Sequence, residues 1–189
     1  MTERLGTDES WAIFSDCRRY RYVLGREFSS GPIVGTVGDV MRTVIDSRFI
    51  VWAMLNPSTA DHEKLDPTLK RCEAFSRRWG YAGFYVVNLY AFRATEPTDM
   101  PMLDRRPSSR AIGPDNDVSI RFWTENRDVV VGWGNHGAAQ RVREVAAALS
   151  RAARVDCLAV NDDGSPRHPL ARGRLRIPDD AQRQPWRLP

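Results

Sequence analysis

The sequence predicts an α/β protein: a three-layer sandwich around a central, mostly parallel four-stranded sheet, with extra strands at the N-terminus. Two observations predict it. Short, mostly apolar runs recur at residues 51–55, 83–90, 128–134 and 155–160, and strands buried on both faces read as near-continuous apolar runs. Between them lie segments whose apolar residues repeat at helical spacing. Strand–helix alternation of this kind builds a parallel sheet with helices on both faces.

In chain order, residues 20–28 form an early strand that turns at Ser29-Ser30-Gly31-Pro32, and a second short strand covers residues 33–37. The run 51–55 stops abruptly at Asn56-Pro57-Ser58-Thr59-Ala60-Asp61. Pro57 fixes φ and has no N–H, so the turn that carries Asn56 is stiff. A helix starts with Asp66 as N-cap and Pro67 at the first position. Leu69, Cys72, Phe75, Ser76 and Trp79 follow at helical spacing, and Gly80 ends it. After the strand 83–90, residues 91–110 form a long, proline-punctuated connection of the kind that often carries function. Pro114 opens another helix through Val118, Ile120, Phe122 and Trp123. The strand 128–134 ends in a Gly-Asn turn. Residues 138–151 form a helix with Val142, Val145, Ala146 and Leu149 on one face. The strand 155–160 leads to a polar loop, 161–169, and a tail rich in Arg and Pro. No repeat or linker divides the chain, so residues 1–189 are expected to form one domain.

Hydrophobic content of 42% and charged content of 28% are ordinary for a soluble protein. The formal charge of +4 permits nucleic-acid binding without establishing it. Lysine occurs only at Lys64 and Lys70, so arginine supplies nearly all the positive charge. Arginine suits bidentate phosphate contacts, but a GC-rich genome produces the same bias. Cys17, Cys72 and Cys157 are widely spaced and odd in number, which argues against a disulfide framework, a zinc site or a four-thiolate cluster. The polar N-terminus lacks the apolar core of a signal peptide, and no run approaches the ~18 apolar residues of a membrane span. The expectation is a cytoplasmic monomer that uses neither membrane, metal nor cofactor.

Right-handed crossovers gather the carboxyl ends of parallel strands on one rim, where open α/β sheets bind ligands. That rim would hold Asn56, Asn88, Asn135-His136 and the loop to His168.

With those residues the chain resembles the uracil-DNA glycosylase superfamily, and is similar to a sequence family of unknown function marked by the Asn-Pro-Ser-Thr-Ala-Asp turn. Met54-Leu55-Asn56-Pro57-Ser58 resembles the Asn-Pro form of the motif that handles the hydrolytic water in mismatch-type thymine and uracil glycosylases. Val86-Val87-Asn88 resembles the strand that reads the base edge. Val130-Val131-Gly132-Trp133-Gly134-Asn135 resembles the strand followed by Trp-Gly and a small-residue helix. Arg167-His168-Pro169-Leu170 resembles the His-Pro loop with its intercalating residue. These four elements span residues 50–173. Where that superfamily has Ser after His-Pro this chain has Leu170, and the unknown-function family also stresses Asp61, Asp66 and Arg93-Ala94-Thr95.

The resemblance implies a DNA glycosylase that works without a metal, with DNA as partner. Cleaving an N-glycosidic bond produces an oxocarbenium-like sugar and an anionic base, so it needs donors aimed at the base oxygen and a residue that places water. Asn56 and His168 are the catalytic candidates, with Asp61, the nearest carboxylate, as an alternative base. Asn88 offers one acceptor and two donors to a Watson–Crick edge. Ser58 stands where conventional uracil glycosylases carry a Tyr that blocks 5-substituted bases, which implies space for a bulky 5-substituent of the kind found in modified phage DNA. Phe75 is either a stacking platform for the base or plain core. Leu170, Arg172, Arg174 and Arg176 are candidates for the wedge and phosphate contacts, as is Arg93 for a phosphate. Two other readings stay open: an enzyme on free nucleosides or nucleotides, and a non-catalytic nucleic-acid-binding protein.

Overall fold

A computed structural model describes residues 2–6, 10–28, 48–58, 66–103 and 106–188. The expected strand 33–37 and Asp61 lie outside the described residues. The strands are β1 (Thr2–Gly6), β2 (Ser10–Ser15), β3 (Arg21–Glu27), β4 (Phe49–Met54), β5 (Gly83–Asn88), β6 (Met102–Leu103), β7 (Arg106–Pro107), β8 (Asp128–Val131), β9 (Arg154–Cys157) and β10 (Gln184–Pro185). The helices are α1 (Pro67–Arg78), α2 (Ser109–Ile112), α3 (Asn116–Thr124) and α4 (Ala139–Ala148).

Four parallel strands occupy the middle of the sheet in the order β5-β4-β8-β9. The expected four-stranded sheet is nevertheless too small. The described sheet has eight strands, β1-β2-β3-β5-β4-β8-β9-β10, with antiparallel wings. The expected strand 20–28 is β3 of one wing, and the outer strands escaped the sequence for a physical reason. β1 is a largely polar strand, and β10 is two residues long with Pro185 in it, as an edge strand tolerates.

Every residue of β4 and β5 is buried, as expected for strands covered on both faces. Val51 and Ala53 join one apolar cluster, with Ile120 of α3 and Val145 of α4. Ile50, Trp52 and Met54 join the other, with Leu69, Cys72 and Phe75 of α1. Helices therefore cover both faces. The Asp66 carboxylate caps α1 by accepting from the Leu69 N–H at 2.8 Å, with Pro67 in the first turn. Trp52 Nε1 donates to Ser76 Oγ at 3.0 Å, so the one polar atom of this buried ring is satisfied at the helix–sheet contact. Among the described residues no helix is long and apolar enough to cross a membrane.

Candidate active site

A cavity of about 410 Å³ opens at the carboxyl ends of the parallel strands. Asn56 follows β4, Asn88 ends β5, Asn135 and His136 follow β8, and His168 follows β9; all line this one cavity. Its volume falls within the ~300–1,000 Å³ range of small-molecule sites.

Asn56 is fixed from its amide end. Nδ2 donates to Ala94 O at 2.9 Å and to Pro57 O at 3.2 Å, so two carbonyls take both amide hydrogens. The same turn is closed by Ala94 N–H donating to Pro57 O at 3.0 Å. Oδ1 is left as an acceptor, and an acceptor is what a water O–H requires. The two carbonyls also explain why an amide rather than a carboxylate stands here: a carboxylate would meet them with lone pairs alone.

Asn88 is 2% exposed, and its Nδ2 is buried with no hydrogen-bond partner. A buried orphan donor is costly, and its position in the cavity wall leaves it for a ligand acceptor. The strand end beneath it is clamped. Asn116 Nδ2 donates to Asn88 O at 3.0 Å and Leu89 O at 3.1 Å, and Arg141 Nε donates to Leu89 O at 2.8 Å. Asn116→Ala is expected to cost about 1–3 kcal/mol and to weaken ligand binding at Asn88; urea unfolding alongside a binding titration checks both.

His168 is held as a neutral donor. Its Nδ1 accepts the Leu170 N–H at 3.1 Å, which places the proton of the neutral ring on Nε2. Burial pushes its pKa below 6.5, opposed by the charge of Asp66. The loop that carries it is drawn against the sheet. Gly134, at φ +73°, donates its N–H to Pro166 O at 2.9 Å. A Cβ on Gly132 would lie 3.1 Å from Pro169 Cδ. Arg71 of α1 ties the far side through Pro169 O (3.4 Å), Ile177 O and the Asp179 carboxylate.

The depressed pKa makes stability pH-dependent. A buried neutral histidine contributes stability that is present above its unfolded pKa of about 6.5 and is lost as pH falls toward the lower folded value. Urea midpoints of wild type and His168→Gln, measured between about pH 8 and pH 5, should therefore converge as pH falls; a constant difference contradicts the neutral assignment.

Ser58 lines the cavity and donates from Oγ to Asp66 Oδ2 at 3.2 Å. The expected alternative base, Asp61, lies outside the described residues, and Asp66 is the carboxylate that the cavity wall does contain. The sequence marked Asp66 as a helix cap, and that signal concealed its second position in the cleft. Arg21 also lines the cavity. At the start of an early strand it gave no sign of belonging to a site.

Phe75 does not face the cleft. It is 1% exposed in the α1 cluster, stacked on Trp79 at 5.4 Å, so the base-stacking reading is corrected to core. The inner face of α1 has to cover the sheet, and Phe75 is on it. Arg93 lines neither the cleft nor the groove beside it. Its guanidinium lies 5.1 Å from the Phe14 ring centroid and donates to Arg18 O at 3.3 Å. Leu170 and Arg172 line a separate groove with Pro67, Arg71 and Arg176. Arg172 and Arg174 are exposed and carry no ion pair among the described residues, whereas Arg176 lies 3.7 Å from Asp179.

Fold and cleft together define the class: an α/β protein with amides and a buried imidazole lining one cavity at the carboxyl ends of its parallel strands. The chain belongs to the family described as "Protein of unknown function (DUF1643)", whose model matches residues 21–170. No curated protein and no solved structure matches it.

Proposed function

We propose that the protein is a monofunctional DNA glycosylase of the uracil-DNA glycosylase type, which hydrolyses the N-glycosidic bond of a modified or mismatched pyrimidine and leaves an abasic site. The observation that carries this reading is the pairing within one cleft of a fixed acceptor, Asn56 Oδ1, with a neutral donor, His168 Nε2–H. The parallel block β5-β4-β8-β9 at the centre of the sheet supports it too.

In this mechanism the bond from the sugar C1′ to the base nitrogen breaks, and its electron pair leaves with the base. His168 donates to the base oxygen on which negative charge develops. Water held by Asn56 Oδ1 adds to C1′, and its proton passes to the departed base. Asparagine cannot act as a general base near neutral pH, so the arrangement suits a base that leaves readily. The Asp66 carboxylate, held by the Leu69 N–H and Ser58 Oγ, adds negative charge beside the developing sugar cation. Asn88 meets the Watson–Crick edge. Ser58, small and turned toward Asp66, leaves room at carbon 5 for a bulky substituent. Defence against phages with modified DNA, or repair of modified bases, follows from such a pocket.

The base must leave the duplex, at a cost of a few kcal/mol. Leu170 supplies the wedge, and Arg172 and Arg174 contact phosphates beside it. Arg172→Ala and Arg174→Ala are each expected to lower the salt-dependence slope of DNA binding by about one, with little change in sequence preference. Incubation with genomic DNAs of different modification, scored for abasic sites, tests the function. Release from 5-substituted DNA is the expected result, and release from plain uracil alone contradicts the reading of Ser58.

A further inference from the structure

Three described arginines are almost fully buried: Arg21 at 4%, Arg127 at 5% and Arg141 at 3% exposure. Two of them have partners for their charge. Arg141 lies 2.6 Å from Asp117 and 3.3 Å from Glu144. Arg127 donates to Trp123 O at 2.7 Å and Phe122 O at 3.1 Å, and lies over the Tyr85 and Trp123 rings. Arg21 has neither. It makes no ion pair and no side-chain hydrogen bond among the described residues, and its buried Nε is unpartnered. Two charges act on it in opposite senses: Arg93 repels it and Asp66 attracts it. Burial, the larger cause, with Arg93, brings its pKa down to about 10, so it remains a cation at neutral pH. An unpaired charge taken out of water is expensive unless something supplies its counter-charge.

Arg21 lines the cleft. Along the rim the strand order β3-β5-β4-β8 gives the sequence Arg21, Asn88, Asn56, Asn135. Adjacent strands lie ~4.8 Å apart, so Arg21 on β3 is next to Asn88 on β5, whereas the His168 loop folds back against Gly134 beyond β8, on the other side of β4. A group met by Arg21 is therefore different from the base oxygen met by His168.

We propose that Arg21 is an anion subsite of the cleft, and that the ligand presents an oxyanion to its guanidinium at the pole beyond Asn88. The proposal rests on the reading of this cleft as a nucleobase site. Two sources supply that chemistry: a carboxylate on the substituent of the base, or a phosphate of the nucleotide. A guanidinium meets either with paired N–H donors.

Calorimetric titration separates the sources with two ligand pairs that differ in charge. One pair is 5-carboxymethyl- and 5-carbamoylmethyl-2′-deoxyuridine. The other is 2′-deoxyuridine 5′-monophosphate and 2′-deoxyuridine. Wild type is expected to prefer the anionic member of one pair by about tenfold or more, and Arg21→Gln is expected to lose that preference while still binding the neutral member. The pair that shows the effect names the source. No preference in either pair, or a preference that survives Arg21→Gln, overturns the subsite. Thermal unfolding guards against a structural effect. Because Arg21 has no ion pair among the described residues, Arg21→Gln and Arg21→Met should melt at or above the wild-type midpoint; a lower midpoint for both means that Arg21 supports the fold, and overturns the subsite. Base release from DNA, assayed in parallel, keeps the two readings apart. Arg21-dependent binding without release from any DNA removes the glycosylase reading alone, and release without an anion preference removes the subsite alone.

Discussion

Asn56→Ala is expected to lower the rate of base release by about 10²-fold, with little change in DNA affinity. The side chain does not grip the nucleic acid; it orders one water. Without Oδ1 the water is no longer held at the reacting carbon, and a misplaced nucleophile of this kind costs about that factor. The change should appear in the single-turnover rate rather than in the binding constant. Asn56→Asp is the more informative partner. A carboxylate is ordinarily the better base, but here it replaces the amide that donates to Ala94 O and Pro57 O. Its oxygens would face two carbonyls with no proton between them. Asn56→Asp is therefore expected to stay as inactive as Asn56→Ala at neutral pH and to melt lower. A more active Asn56→Asp would show that the turn does not hold the side chain in the manner described.

His168→Ala is expected to have a larger effect, about 10²–10³-fold, the usual loss on removing a donor aimed at a developing oxyanion. Neutrality matters as much as position. The Leu170 N–H occupies Nδ1 at 3.1 Å, and burial disfavours the imidazolium. Activity should accordingly hold as pH falls past 6.5 and decline only through the lower pKa of the folded protein. His168→Gln keeps a donor on a side chain of similar reach and should recover part of the rate without the acid limb. An acid limb that survives in His168→Gln would assign the titration to another group.

The central strands were legible in the sequence because burial on both faces leaves no room for polar residues; every residue of β4 and β5 is buried. The start of α1 was legible from Asp66 and Pro67, whose side chains act locally on the backbone. Of the antiparallel wings only β3 was, as the early strand 20–28. Alternating strands such as Ser10–Ser15 give a weaker signal, and β1 and β10 carry few apolar residues. The rim positions of Asn56, Asn88 and His168 followed from strand ends and crossover handedness. Arg21 could not follow from them. It sits at the start of an antiparallel strand that reaches the same rim from the other direction, and only the sheet order shows that this end abuts Asn88. Phe75 stayed open between core and stacking platform, because an aromatic residue on a helix reads alike whether it faces a ligand or a sheet.

The most direct test is single-turnover release from a synthetic duplex that carries one 5-substituted pyrimidine, with alkali-labile strand breaks as the readout for wild type and Asn56→Ala. Breaks at the modified position with wild type, reduced about 10²-fold in Asn56→Ala, are the expected result. No breaks with wild type on any modified or mismatched pyrimidine, or equal breaks with both proteins, would contradict the assignment of this cleft to base excision.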